Sequence, residues 1–135
     1  MKAIGVDIGG TKTAIGIIDY KTAKISKKII FPSKSFKSDT KNLNLIIEKA
    51  LELSNVNKIN RIGIGVPELI NNKGIIKGNY NFDWNNINLT RYFPKEIKVL
   101  VDSDVRCHLR AEKFFGVAKN YKNFAYINIG TGLSY

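Results

Sequence analysis

The sequence predicts an α/β fold built on a mixed five-stranded sheet with flanking helices, and three observations support this. Apolar runs of strand length alternate with two stretches of helical periodicity. The first three strands follow one another through short turns, which favours antiparallel hairpins. A helix then separates the third strand from the fourth, and strand–helix–strand order implies a right-handed crossover with parallel pairing.

The N-terminal half supplies three strands, one helix and a fourth strand. Residues 2–8 are almost continuously apolar, as expected for a central strand. Residues 11–19 alternate in polarity and return as a hairpin, and 24–31 form a third, more exposed strand. The helix is predicted over 41–54 because capping residues precede it and one apolar stripe runs along it. The next strand, 59–66, stops at a proline.

The C-terminal half contains the weakest signal, over residues 79–93, where Trp84 is interpreted as a packing residue. A short buried strand is expected at 97–101. Asp102, Ser103 and Asp104 then open a helix that reaches Phe115 and ends at a glycine. A last β-prone run, 124–129, predicts a final strand.

Composition limits the class of protein. The chain has 135 residues, 44% of them hydrophobic and 24% charged, which suits one globular domain or a fragment of a larger protein. No apolar run has transmembrane length, no signal peptide is recognisable, and the single cysteine, Cys107, rules out an internal disulfide. We therefore expect a cytoplasmic protein without a membrane partner.

The formal net charge of +11 raises the question of nucleic-acid binding. Lysines far outnumber arginines, and they are scattered along the chain rather than clustered into a basic stripe. No docking motif accompanies them. Lysine-, asparagine- and isoleucine-rich usage is also what an AT-rich genome imposes on any fold. Nucleic acid is therefore not the expected partner.

A glycine turn follows the first strand and has residues suited to nucleotide phosphates. Gly9 and Gly10 permit a tight turn whose backbone N–H groups an anion can approach closely. Thr11 adds a hydroxyl donor, Lys12 adds a cation, and Asp7 is placed to hold a magnesium ion through water. A paired glycine between two strands is also typical of a plain hairpin. Both interpretations stay open on these residues alone.

Asp104 is the best candidate for a catalytic base. It lies in the first turn of a helix, where the helix dipole favours an ionised carboxylate able to accept a proton from a hydroxyl. The alternative is that the acidic cluster only caps the helix. The carboxyl ends of parallel strands meet at one edge of a sheet. That edge would carry residues 9–11, 67–68 and 102–104.

Several separated segments together resemble a known family. Residues 5–13 are similar to the first phosphate motif of the sugar kinase, actin and heat-shock-protein ATPase superfamily. Residues 63–67, 99–116 and 129–132 resemble, in order and spacing, the ROK family of sugar kinases and related repressors. The Thr-Lys-Thr variant at 11–13 is also similar to the N-acetylglucosamine-kinase and BadF-type branch. The resemblance implies a ribonuclease H-like (actin-like ATPase) lobe.

The resemblance also implies ATP and magnesium as cofactors and assigns roles to residues. Asp7 would assist magnesium and Asp104 would be the base that deprotonates a sugar hydroxyl. The residues implied to cradle ATP phosphates are Gly9, Gly10, Thr11 and Lys12 in the first loop and Gly130, Thr131 and Gly132 in the second. The residues implied on the sugar side are Gly65, Pro67, Glu68, Asn81 and Ser103.

The sequence departs from the family pattern mainly where sugar would bind. The family usually has asparagine where Ser103 stands and glycine where Glu68 and Ser134 stand. Small alanines of the catalytic helix are replaced by Cys107 and His108. Ser103, Glu68 and His108 motivate an alternative function, a degenerate module that binds sugar or nucleotide without kinase activity.

Family members also have a second lobe, and the resemblance covers only the first. It implies that residues 1–122 are an N-terminal actin-like ATPase lobe and that 123–135 are the first strand and phosphate loop of a second lobe. The expected function is therefore the N-terminal lobe of an ATP-dependent sugar kinase acting on a hexose or amino sugar, inactive or weak alone. The expected partners are sugar, ATP and either a second copy, paired through 124–129, or a separate second-lobe chain.

Overall fold

The structure, a computed structural model, describes residues 1–129 and 133–134. Five strands form one mixed sheet in the order β3-β2-β1-β4-β5. Their bounds are β1 Lys2–Ile8, β2 Lys12–Asp19, β3 Lys24–Pro32, β4 Arg61–Val66 and β5 Lys98–Ser103. Two helices flank the sheet, α1 over Asp39–Asn57 and α2 over Asp104–Phe115. The predicted fold class is confirmed.

Strand directions also follow the prediction. β1, β2 and β3 pair antiparallel as consecutive hairpins, and β4 pairs parallel to both β1 and β5. Helix α1 is the crossover that carries the chain from β3 at one edge to β4 beyond β1. The apolar run of β1 is explained by its position in the middle of the sheet.

Helix α1 is longer than predicted at both ends. Its N-cap is Ser38, whose Oγ accepts a hydrogen bond from the Lys41 N–H at 3.4 Å, so Asp39 already lies in the first turn. At the other end Lys58 takes a left-handed conformation with φ 53° and closes the helix. The Ile59 N–H donates to the Ser54 carbonyl, which delays the start of β4 to Arg61.

The hydrophobic core lies between α1 and one face of the sheet. Along β1, the buried Ile4, Val6 and Ile8 alternate with residues that point to the opposite face of the sheet, as expected for a strand. The segment predicted least well, 79–93, contributes Trp84, which is fully buried and stacks on Phe82 with ring centroids 4.1 Å apart. Trp84 is thus a packing residue, as predicted. A single 3₁₀ turn, Leu89–Tyr92, follows it.

The predicted last strand is wrong over most of its length. Only β6, Asn128–Ile129, is extended into a pair, and its partner is β7, Leu133–Ser134, outside the main sheet. Residues 124–127 pair with no strand of the main sheet and are therefore not extended into a ladder. The predicted phosphate loop of Gly130, Thr131 and Gly132 lies outside the described residues.

The strand predicted at 97–101 also differs. β5 continues to Ser103, because Asp102 and Ser103 still pair with Gly65 and Val66 on β4. The helix therefore begins one residue beyond Ser103, at Asp104. Neither helix in the part of the chain described is long and apolar enough to cross a membrane.

Candidate functional site

The parallel register brings two carboxylates, and a glycine between them, to one edge of the sheet. Asp7 on β1 lies opposite Gly65 on β4, and Gly65 in turn lies opposite Asp102 on β5. Val6 and Ile8 are buried on the α1 side, so the Asp7 side chain between them points to the opposite face. Residues more than ninety positions apart in sequence are thereby placed side by side.

The glycine turn forms where it was predicted. The Gly9 N–H donates to the Lys12 carbonyl at 3.0 Å, and the Thr11 carbonyl accepts from the Ser33 N–H at 2.9 Å. A Cβ atom at Gly10 would lie 2.6 Å from Oδ1 of Asn81, so a side chain there would require Asn81 to move. The Thr11 and Lys12 side chains are exposed. The turn is therefore fixed in shape while its polar side chains remain open to a ligand.

Asp102, Ser103 and Asp104, which lead into α2, make different contacts. Ser103 is the N-cap, and its Oγ accepts from the Arg106 N–H at 3.4 Å. Asp102 is engaged by arginine side chains, as described below. Asp104 is half-buried, and its Oδ1 accepts from the Val105 N–H at 2.7 Å. Because Ser103 caps the helix, the Asp104 carboxylate is not required for that purpose.

Gly65 lets α2 approach the sheet. A Cβ atom placed there would lie 3.5 Å from Sγ of Cys107 and 3.7 Å from Cα of Asp104, so the helix packs directly on this strand. Burial, followed by the charge of Asp102, raises the pKa of the Cys107 thiol. Cys107 is half-buried and acts as a packing residue at neutral pH.

Asp102 is the charged anchor of α2. Its Oδ1 accepts from the Ser103 N–H at 2.8 Å and from Arg106 Nη1 at 3.1 Å, and its Oδ2 pairs with Arg110. Burial alone would raise the pKa of this carboxyl, but the hydrogen bonds from Arg110 and Ser103 outweigh it and the pKa lies below its usual value. Arg106 also donates to the Ile70 carbonyl at 3.3 Å, tying the helix to the loop after β4.

These groups line one open groove of about 780 Å³ on the face of the sheet away from α1. Its polar and reactive lining includes Asp7, Asp102, Asp104, Cys107, His108 and Arg110. Within the described residues, no three His, Cys, Asp or Glu side chains converge on one metal position. One carboxylate such as Asp7 nevertheless fits Mg²⁺, which keeps several waters and takes its remaining ligands from substrate phosphates.

The residues predicted on the sugar side lie in two groups. Gly65 and Ser103 are at the edge beside Asp104. Pro67, Glu68 and Asn81 are joined to one another: Asn81 Nδ2 donates to the Pro67 carbonyl at 2.8 Å and the Asn81 N–H donates to Glu68. Glu68 is only 3% exposed, and both its oxygens accept from backbone N–H groups.

Two features of the site were missed by the sequence analysis. The ion pairs of Asp102 with Arg106 and Arg110 have no clear sequence signal, because Asp102 is the last but one residue of β5 and the two arginines lie on α2. The contact between Asn81 and Gly10 has no signal either, because it joins two loops 71 positions apart.

Comparison with known proteins places this arrangement in context. A sequence profile of the ROK family matches residues 3–134. Glucokinase from Thermotoga maritima is 31% identical, over 98% of this chain and 43% of that protein. Beta-glucoside kinase from Listeria monocytogenes is 27% identical, over 98% of this chain and 45% of that protein. A ROK family glucokinase from Streptomyces griseus, solved with glucose and AMPPNP, superposes with a TM-score of 0.82 at 25% identity, over 98% of this chain and 43% of that one.

The chain thus spans less than half the length of the curated relatives it matches. Its sheet order and flanking helices are those of an actin-like ATPase fold, shared with ROK sugar kinases. With a family match over nearly every residue and the same fold, this chain belongs to the ROK family.

Proposed function

We propose that the chain forms the N-terminal lobe of an ATP-dependent sugar kinase that phosphorylates a hydroxyl of a hexose or amino sugar. The observation that carries this proposal is the alignment of Asp7, Gly65 and Asp102 across three strands, with Asp104 beside them at the start of α2. Carboxylates and a glycine turn at one sheet edge suit phosphoryl transfer, which depends on positioning and electrostatics.

Asp104 acts as the general base. Its carboxylate lies in the first turn of α2 and takes the proton as the sugar hydroxyl oxygen attacks the terminal phosphorus. The new oxygen–phosphorus bond forms while the bond to ADP breaks, and the proton stays on Asp104. Asp102 holds the helix in place through Arg106 and Arg110, so the base is presented at a fixed position.

The glycine turn and Asp7 receive the phosphates. Gly9 and Gly10 leave the backbone open to an anion, and the exposed Thr11 and Lys12 side chains add a hydroxyl and a positive charge. Asp7 would hold Mg²⁺ through water, and the ion would supply positive charge that offsets the negative charge of the phosphates. In this proposal Gly130, Thr131 and Gly132, which lie outside the described residues, would bind phosphate as well.

The sugar lies between the end of β4 and the start of α2. Gly65, Pro67, Asn81 and Ser103 lie around this position and offer backbone, amide and hydroxyl groups. The solved S. griseus relative binds glucose, which supports a hexose as substrate. Glu68 contributes through the main chain it holds, since both of its oxygens are occupied by backbone N–H groups.

Turnover requires a second lobe. Residues 1–122 form the first lobe and 123–135 begin the second, so this chain alone is inactive or weakly active, because two lobes must close on the substrates. The coverage of less than half of each relative supports this. The proposed partner of this stretch of chain is a second copy joined through residues 124–129, or the second lobe itself. Ile127 and Ile129 are 62% and 82% exposed and supply the apolar contact.

A second candidate is a module that binds sugar or nucleotide without transferring phosphate. It is favoured by Ser103, whose hydroxyl already caps α2, and by Glu68, whose carboxylate is turned inward. Both positions would then offer a sugar fewer free groups than a kinase needs.

A chimaera separates the two candidates. Residues 1–122 are joined to the second lobe of T. maritima glucokinase, and ADP release is measured with MgATP and a panel of hexoses and amino sugars. Sugar-dependent turnover is expected, with none or little from the 135-residue chain alone. The natural T. maritima enzyme is the positive control. Sugar binding by the chimaera without ADP release would instead establish the binding module, and robust turnover by the isolated chain would overturn the two-lobe proposal.

The partner proposal has its own measurement. Light scattering of the full chain at increasing concentration is compared with a variant ending at residue 122. We expect the full chain to dimerise and the shortened one to remain monomeric. A full chain that stays monomeric at high concentration would remove the second copy as the partner.

A further inference from the structure

Glu68 is a buried carboxylate that binds the main chain of a distant loop. Its Oε1 accepts from the N–H groups of Asn81 at 2.6 Å and Phe82 at 3.1 Å, and its Oε2 accepts from the Tyr80 N–H at 3.0 Å. Three consecutive backbone donors therefore converge on one side chain. Hydrogen bonds to a carboxylate are stronger than those to a neutral acceptor, so Glu68 is a strong polar anchor of the loop.

The loop held in this way carries a side chain to the phosphate-binding turn. Asn81 donates from Nδ2 to the Pro67 carbonyl at 2.8 Å, which leaves its Oδ1 facing the turn. That oxygen lies 2.6 Å from where a Cβ of Gly10 would stand. Asn81 is therefore wedged between the end of β4 and the glycine turn after β1.

The far end of the loop is fixed by different means. Phe82 and Trp84 are buried in the core, and the Asp83 N–H donates to a carboxylate oxygen of Asp39 at 2.8 Å. Trp84 Nε1 also donates to the Asp39 carbonyl at 3.2 Å. The core thus fixes residues 82–84, while Glu68 fixes residues 80–82 and the direction of Asn81.

We infer that Glu68 is a positioning residue that sets the glycine turn through Asn81. Its carboxylate holds the backbone of residues 80–82 so that the Asn81 amide lies beside Gly10. The distance between the glycine turn and the residues on the sugar side then depends on the buried carboxylate of Glu68. The consequence for catalysis rests on the proposed function, whereas the coupling of Glu68 to Gly10 does not.

The test uses the full chain, labelled with ¹⁵N, and four variants. Glu68→Gln keeps the shape of the side chain but replaces one accepting oxygen with a donor. Asn81→Ala removes the wedge and leaves the backbone donors in place. The double variant combines both, and Glu48→Gln is the matched control on the exposed face of α1. Amide hydrogen exchange and the chemical shift of the Gly10 amide are measured for each.

Glu68→Gln is expected to accelerate exchange at residues 80–82 by about 10–100-fold, because a buried donor loses its acceptor. It should also move the Gly10 resonance. Asn81→Ala should move the Gly10 resonance without accelerating exchange at Phe82. The double variant should move Gly10 no further than Asn81→Ala alone, because Glu68 acts through Asn81. Glu48→Gln should change neither quantity.

Two results would overturn the inference. The first is a Gly10 amide resonance that does not move in Glu68→Gln. The second is a change in the Gly10 chemical shift of the double variant that equals the sum of the changes in the two single variants. If Glu68→Gln does not fold, hydrogen-bond scalar couplings between the Glu68 carboxyl carbon and the amide nitrogens of residues 80–82 are measured in the unsubstituted chain, and their absence counts against the inference.

In the chimaera, Glu68→Gln and Asn81→Ala should raise the sugar KM by similar factors with little change in kcat. A chimaera without turnover would refute the proposed function and leave the exchange and shift results standing.

Discussion

The two faces of the sheet differ in burial, in packing and in the kinds of side chain that they carry. On the α1 side, the side chains of Ile4, Val6 and Ile8 are at most 3% exposed and pack against a helix with six buried residues. On the other side, the same strand presents Ala3, Gly5 and Asp7 to an open groove, and α2 has no buried residue. One face holds the fold together and the other carries the site.

This division has a physical cause and a consequence for mutation. Side chains alternate between the two faces along a strand. A nearly continuous apolar sequence such as β1 can therefore place large side chains on one face and small ones on the other. Substitutions on the α1 side should change stability, and substitutions on the groove side should change function. Four predictions test this separation.

The largest effect is expected from Asp104→Asn in the chimaera. Removal of a general base typically lowers turnover by ~10²–10⁴-fold, while nucleotide binding and the unfolding midpoint should hardly change. ADP release and nucleotide titration measure the two effects. Asp83→Asn, at an exposed position of the loop, is the matched control. Near-normal turnover in Asp104→Asn would show that the carboxylate only contributes to the start of the helix.

Two leucines give a matched comparison of the faces. Leu43 on α1 is 1% exposed, and Leu43→Ala should lower the free energy of unfolding by about 2–5 kcal/mol. Leu100 on β5 is 67% exposed on the groove side, and Leu100→Ala should change it by about 0.5 kcal/mol or less. Urea titration of the 135-residue chain measures both. Equal losses would mean that the groove side is covered in solution.

The acid dependence of stability should report on Asp102. Its pKa is lowered in the folded chain, so its contribution is fully present above the unfolded pKa of about 3.9 and is lost as pH falls through the folded value. The free energy of unfolding should therefore fall below about pH 4. Asp102→Asn should flatten this dependence, and Arg110→Gln should reduce it. If the free energy of unfolding of Asp102→Asn falls with pH as steeply as that of the unsubstituted chain, the loss does not come from Asp102.

The smallest effect is expected at Gly63, which lies on the groove side of β4. A Cβ atom there would meet nothing within 4 Å. Gly63→Ala should therefore raise the free energy of unfolding by about 0.4–1 kcal/mol, because the unfolded chain loses conformational freedom. Gly5→Ala is the contrasting variant, since its Cβ would press against Cδ1 of Ile18. Thermal unfolding of both variants measures the difference, and a destabilised Gly63→Ala would mean that the open side is packed.

The sequence by itself determined the sheet, its strand directions and the edge where the site forms. Periodicity located α1 and α2, and the strand–helix–strand order implied the parallel pairing that β4 makes. The glycine turn and the acidic start of α2 were recognisable because their chemistry is local. Bounds moved by a few residues where a cap, such as Ser38, or a pairing, such as Asp102 with Gly65, decided them.

Only the tertiary structure decided the contacts between distant segments. Glu68 reads as a polar residue after a strand, and nothing local shows that three N–H groups from residues 80–82 would surround it. The run 124–129 has strong β propensity but becomes a strand only at Asn128–Ile129, because a strand needs a partner edge that propensity cannot supply. Hydrogen bonding between remote backbones depends on where the chain returns in space, and local sequence does not encode that.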